Sequence, residues 1–398
     1  MLIDILLVLA LVGAVAWGLA AWVYRAEDLS AFDGPPAPPD PPSTDPVWRR
    51  LGGDAPPSPA LLAVQASLAQ LGRQMAGLHG RARVAALRRH LDGVFADRTF
   101  DARFVPVDCG GVPGEWVIPP GADPRRRTLY LHGGGFIIGS PLSHRTLTTR
   151  FAALTGGVVL AIDYRLMPEH PRRASIEDSR RAWRWLCTNG PDAAGVPADR
   201  LFVAGDSAGG NLTLALIAWL RHERRSDPAL RQADAAVALS PLTDSCLVAP
   251  SLRRLRRSDV MLGPMLGKLV ALPRWLLIAS TRKVTGIDPR GPLLSPLRDD
   301  LSGLPPVLLQ ASEAEMLFDD AHRYARRAHA AGSPVRLQTW RHPVHAWPIF
   351  NPELPEANEA LAQIGQFLAE VAPPGEGQPQ PRAPGKAPGS AGALPSPA

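Results

Sequence analysis

The chain has 398 residues, among them 43 prolines, 36 glycines and 3 cysteines, with a formal charge of +6. Three distant cysteines, Cys109, Cys187 and Cys246, exclude a disulfide framework and a four-cysteine zinc site, and an apolar fraction of 45% excludes disorder throughout. The positive charge is almost all arginine and is scattered (Arg125 to Arg127, Arg172 and Arg173, Arg224 and Arg225), with no basic module and no interleaved aromatics, so no nucleic-acid partner is expected.

Ile5 to Tyr24 is nearly unbroken apolar sequence, about 20 residues, enough to cross a hydrocarbon core. Trp22 and Tyr24 suit an interfacial aromatic belt. Asp4 stands where a cleaved signal peptide carries basic residues, so residues 1–26 read as a single-pass anchor in lipid; Gly18-Leu19-Ala20 is the competing cleavage site. Arg25 is followed at once by Glu27 and Asp28, so the side of the membrane stays open. Residues 27–59 read as a spacer, because ten prolines between 33 and 59 favour extended polyproline II.

Leu61, Val64, Leu68, Leu71, Met75 and Leu78 recur at helical spacing, and Val84, Leu87, Leu91 and Val94 continue the stripe. From about residue 128 short apolar runs alternate with helical patterns. The runs are 128–131, 158–162, 201–204, 236–239, 306–310 and 335–340; helices are expected near 144–155, 174–188, 208–223, 318–331 and 356–370. Strand–helix alternation with continuously apolar strands predicts an α/β fold around a doubly wound, mostly parallel sheet. Residues 372–398 hold almost no large apolar side chain and read as a disordered tail.

Each chemical motif follows one of these strands. His132-Gly133-Gly134-Gly135 follows 128–131; backbone N–H groups there can approach a substrate with no side chain in the way. Gly205-Asp206-Ser207-Ala208-Gly209 fits G-x-S-x-G between a strand and a helix, the setting of a nucleophile elbow. Ser207 is the expected nucleophile. The amides of Gly134, Gly135 and Ala208 are the expected oxyanion hole, with Gly133 as a substitute donor. A serine needs a base, and His342 and His345 both lie in the loop after 335–340; His322 and His329 fall inside a helix.

The chain resembles the hormone-sensitive-lipase branch of the α/β-hydrolase superfamily. HGGGF (132–136), IDYRLMPEHP (162–171), GDSAGGNL (205–212), SPLTD (240–244), LPPVLLQASEAEMLFDDA (304–321) and HPVHAWPIF (342–350) carry the resemblance, in the family's order. It implies a carboxylesterase or lipase acting on a small ester, with a core over 60–371 and a cap from 60–95 and 251–280. It implies His345, followed by Ala346 and Trp347, as base. It implies Glu315 as the triad acid, because Leu317 and Asp319 follow at the family's spacing; Glu313 and Asp319 are the rivals. No metal and no organic cofactor is required. Where the family has Phe-Pro-Ala-Ala after the IDYRLMPEHP segment, this chain has Arg172-Arg173-Ala174-Ser175. An N-terminal anchor before the catalytic domain is an arylacetamide-deacetylase-like layout, so amide hydrolysis or acyl transfer on the same triad stays open. The gibberellin receptors of this fold lack the histidine, which argues against a ligand receptor here.

Overall fold

The computed structural model describes residues 2–34, 45–53, 55–192 and 195–373, with side chains from residue 13 onward. The proline-rich stretch 35–44 and the tail from 374 lie outside the described residues. Helix α1 spans Leu2–Val23 and strand β1 is Trp48–Arg50. Helices α2 (Pro59–Met75) and α3 (Gly80–Gly93) follow, then β2 (Arg103–Asp108), β3 (Pro113–Ile118), β4 (Asp123–Leu131), α4 (Arg145–Thr155) and β5 (Gly157–Ile162). Next come α5 (Arg172–Leu186), β6 (Arg200–Asp206), α6 (Ala208–Glu223) and β7 (Ala235–Leu239). Three short helices, α7 (Pro250–Arg254), α8 (Gly263–Leu266) and α9 (Arg274–Thr285), precede β8 (Val307–Ser312), α10 (Phe318–Ala330), β9 (Val335–Trp340) and α11 (Pro355–Val371).

Among the described residues the strands form a nine-stranded sheet in the order β1-β9-β8-β7-β6-β4-β5-β3-β2. Only the pairings made by β3 are antiparallel. Strands β5, β7 and β8 are buried along their whole length, which is why they read as continuous apolar runs. Side chains of α5, α6 and α10 (Trp183, Leu212, Tyr324) form the core on one face. Leu147 and Phe151 of α4 and Leu361 and Phe367 of α11 form it on the other. The fold class is the expected α/β one. Arg126 and Arg127 are buried in β4, where their guanidiniums donate to Thr155 O and to Leu186 O; this part of the arginine content braces loops instead of meeting a partner.

Two boundaries differ from expectation. The spacer does not begin at residue 27: Leu29 is buried in the core, Arg327 pairs with Glu27 at 3.4 Å, and Arg323 holds Asp33. Nor does it run to 59, since β1 lies parallel to β9, Trp48 is buried, and the Trp48 indole donates to Thr339 Oγ1 at 2.8 Å. The cap segment 251–280 is divided by Gly263, Pro264 and Pro273 into α7, α8 and the start of α9. The cap helix α2 is well specified locally: Pro59 occupies its first turn, Ser58 Oγ accepts from Leu61 N–H at 3.1 Å, and Leu61 and Val64 face Trp340 and Trp347. For the expected membrane span, no helix is long and apolar enough to cross a membrane among the residues whose side chains are described, which take in α1 only from Gly13 onward.

Candidate active site

Strand β6 delivers Asp206 and helix α6 starts at Ala208, so Ser207 occupies the turn, with φ 54° and ψ −114°. That conformation is strained for a side-chain-bearing residue. It is held because Ser207 N–H donates to Leu239 O at 2.7 Å. The flanking glycines are required by space. A Cβ on Gly205 would lie 2.5 Å from Leu131 O, and one on Gly209 would lie 1.8 Å from the same oxygen. Ala208 is the first residue of α6, so its N–H lies among those with no partner inside the helix.

The glycine loop leaves β4 and approaches the elbow closely. Gly134 and Gly135 have φ of 108° and 63°, accessible to glycine without strain. Behind them lies a buried polar network. Asp206 Oδ1 accepts from Gly133 N–H at 3.1 Å and from Tyr130 OH at 2.8 Å; His144 Nε2 lies 3.4 Å from Asp206 Oδ2. Burial opposes a charge on His144, yet the Asp206 carboxylate outweighs it and holds the imidazole above its ordinary pKa. Tyr164 donates to His132 O at 2.6 Å and stacks on its ring at 4.1 Å. The Gly133 N–H is engaged by Asp206, so Gly133 is not available as the substitute oxyanion donor. From the cap, Arg88 of α3 donates to Ile137 O at 2.8 Å and pairs with Glu169 at 2.9 Å, so cap, glycine loop and the 165–171 turn are tied together.

The third part comes from the loops after β8 and β9. Glu315 Oε2 lies 2.5 Å from His345 Nδ1, and both side chains are buried. Ser312 N–H donates to Glu315 Oε1 at 3.1 Å, and Ala346 N–H donates to Ser240 Oγ at 3.0 Å, which fixes the loop carrying the imidazole. Burial disfavours the imidazolium of His345, but the adjoining Glu315 carboxylate overrides it and raises the pKa above its ordinary value. His345 Nε2 is buried and has no hydrogen-bond partner among the described residues, Ser207 Oγ included. The structure thus brings Glu315 to His345 and does not bring the rivals. Glu313 pairs with Arg50 at 2.7 Å and accepts from Thr339 at 2.8 Å; Asp319 caps Ser251 N–H at 2.7 Å. His342 offers only its carbonyl, to Gln65, among the described hydrogen bonds.

Residues that motif reading passed over are Asp206, His144, Tyr130, Ser240 and Asp259. Asp259 comes from the cap, accepts from Met316 N–H at 2.8 Å, and acts electrostatically on both Glu315 and His345. Asp206 and Ser240 lie inside GDSAGGNL and SPLTD, motifs whose reading gives them no role; nothing in a single sequence marks Asp259. Among the described residues no group of three or more His, Cys, Asp or Glu side chains could hold a metal ion.

Residues 128–349 match a family described as an alpha/beta hydrolase fold. An acetyl-hydrolase of Streptomyces hygroscopicus is 37% identical over 262 residues, 66% of this chain and 81% of that protein. An esterase of Acinetobacter venetianus is 33% identical over 67% of this chain and 82% of its own length. The crystal structure of an esterase from the bacterial hormone-sensitive lipase family superposes with a TM-score of 0.66 at 33% identity, over 80% of this chain and 99% of that one.

Proposed function

The chain belongs to the α/β-hydrolase family, in its hormone-sensitive-lipase-like branch, and from that membership we propose that it is a serine carboxylesterase working through a Ser207–His345–Glu315 triad. It is a carboxylic ester hydrolase, as relatives named esterase and acetyl-hydrolase are. The observation that carries the finer reading is the buried Glu315–His345 contact at 2.5 Å, with the opposite ring nitrogen left unpartnered.

Ser207 Oγ attacks the ester carbonyl carbon while His345 Nε2 takes its proton. Glu315 fixes the tautomer with the proton on Nδ1 and stabilises the imidazolium. The carbonyl oxygen, now an anion, is held by the amides of Gly134, Gly135 and Ala208, donors worth several kcal/mol in such a site. His345 returns the proton to the leaving alcohol. Water then attacks the acyl-enzyme with the same base and releases the acid and Ser207. The serine–imidazole hydrogen bond absent here is one that tightens in the substrate complex. Short- to medium-chain esters are the substrate class; relatives named acetyl-hydrolase and ethyl acetate hydrolase support the short end.

Helix α1 serves as a single-pass anchor in the lipid bilayer. It has 22 residues, about 33 Å at helical rise, with Asp4 its one charged residue, and Trp17, Leu19 and Trp22 are exposed. The anchored chain stays with membranes through alkaline carbonate; release would overturn the anchor. The catalytic reading is tested on the full-length chain with p-nitrophenyl esters of increasing acyl length and matched anilides. Ser207→Ala should abolish ester turnover and organophosphate labelling while leaving the fold intact; persistent labelling would overturn the nucleophile.

A further inference from the structure

Between Ser251 and Thr285 the chain carries eight arginines and lysines against one acid, Asp259. That acid is already engaged: its carboxylate accepts from the N–H groups of Met261, Leu262 and Met316. Arg254 and Arg282 reach Asp319 and Asp288, each at 3.8 Å, whereas Arg256, Arg257 and Lys268 line one surface with Arg73. A groove of about 420 Å³ between α2 and this segment is lined by Arg73, Arg256 and Arg257, and a neighbouring recess of about 380 Å³ by Arg256, Arg257 and Lys268. None of these four forms an ion pair among the described residues. On other faces exposed arginines meet carboxylates: Arg184 meets Glu223 at 3.0 Å, and Arg336 meets Glu370 at 2.5 Å. The patch continues inward, since Arg253, lowered in pKa by burial, also feels the like charges of Arg274 and Arg256. Uncompensated cations repel one another, and an anionic surface turns that repulsion into attraction.

The same face lies where α1 meets the body. Trp17 packs edge-on against Trp275 of α9 at 4.9 Å, and Tyr24 and Ala26 pack on Val248 and Ile278. Arg290 donates to Val23 O at 2.8 Å, which closes the end of α1. Trp17 stands six residues before Val23, so α9 runs beside the last ~9 Å of the helix. A helix entering a bilayer from this mount brings the first turn of α9, with Arg274 beside Trp275, to the membrane side of the body. Met265 and Val284, exposed apolar residues at 46% and 73%, lie on the same segment.

We propose that the cap face formed by Arg256, Arg257, Lys268 and α9 is a docking surface for an anionic lipid bilayer. Its orientation rests on the anchor reading of α1; its charge chemistry does not. The docked cap lies against the headgroups, so an ester partitioning into the membrane reaches the body on its cap side.

The experiment is flotation of the full-length chain with vesicles of phosphatidylcholine alone or containing phosphatidylglycerol, beside the triple variant Arg256→Glu, Arg257→Glu, Lys268→Glu. The wild type should prefer anionic vesicles, and the preference should shrink with salt. Each reversed cation should lower partition on anionic vesicles about fivefold or more, with turnover of a soluble ester unchanged. The triple glutamine variant, which removes charge without adding acid, should lose an intermediate share; it decides the matter if the glutamate variant fails to fold. Equal wild-type partition on both vesicles, or an unchanged preference in a folded variant, overturns the docking surface. Strong uptake by both vesicle types without charge preference would leave α1 as an anchor and remove the docking face. A charge preference in protein that carbonate releases would keep the docking face and remove the anchor.

Discussion

Glu315 reaches His345 while Glu313, two residues earlier, faces Arg50 and Thr339, so neighbouring carboxylates on one loop have different work. Glu315→Gln keeps the shape and removes the charge that favours the imidazolium; kcat should fall by about four orders of magnitude. Glu313→Gln should cost under about tenfold, because it disturbs only local structure. A near-silent Glu315→Gln in steady-state kinetics would remove the acid assignment. The pH dependence follows from the same contact. His345 must be neutral to accept the serine proton, and Glu315 raises its pKa above the ordinary value of about 6.5. Activity should therefore be lost as pH falls through a midpoint above about 6.5, and in Glu315→Gln that midpoint should drop, because burial is then opposed only by the weaker pull of Asp259 and Asp206. A kcat/KM profile of wild type and variant reads both. At this scale much was legible. The strand–elbow–helix setting pointed to Ser207, and the resemblance to the hormone-sensitive-lipase branch implied Glu315 and His345. Of the supports, Ser240 opens SPLTD, but its bond to Ala346 does not show in that motif, and Asp259 comes from a distant loop that no local pattern announces.

At the scale of elements, the glycine loop and the nucleophile elbow are joined by one carboxylate, Asp206, which takes the Gly133 N–H on one side and precedes Ser207 on the other. There is no room between them: a Cβ on Gly133 would lie 2.0 Å from Asp206 Oδ2. Gly133→Ala should push the loop off the elbow and displace the Gly134 and Gly135 amides. The expected loss is about 10²- to 10³-fold in kcat with KM little changed, the signature of a lost oxyanion donor. A wild-type kcat in this variant would show that the loop amides do not hold the oxyanion. Elements were legible wherever burial was two-sided, as in β5, β7 and β8. They were missed at the sheet's edges. Strand β1 has three residues beside a proline-rich stretch, and β2 carries Pro106 and is largely exposed. Their pairing partners, not their own composition, make them strands.

At the scale of the whole molecule, the sequence separates an apolar segment from a catalytic body by prolines, but the body begins earlier than the composition implies. Residues 24–33 lie on it. Leu29 is buried in the core, His322 Nδ1 meets Phe32 O at 3.1 Å, and Asp33 pairs with Arg323, whose side chain is 5% exposed. The contacts that hold this segment fall on α10 and on Arg298, about 270 to 300 residues away along the chain, a distance over which composition says nothing. Two truncations therefore differ. Removing residues 1–23 takes away α1 with its contact to Trp275 and should leave a folded esterase with wild-type kcat. Removing residues 1–34 also strips Leu29 from the core and leaves Arg323 buried without its carboxylate. An uncovered core leucine costs about 2 kcal/mol, and a buried charge stripped of its partner about 3 kcal/mol or more. At roughly 2–4 °C per kcal/mol for a body of this size, the second truncation should melt about 10 °C or more below the first. Differential scanning calorimetry of the two proteins decides it. Equal melting temperatures would mean that 24–33 is a passive leader, and the catalytic body would then begin no earlier than β1.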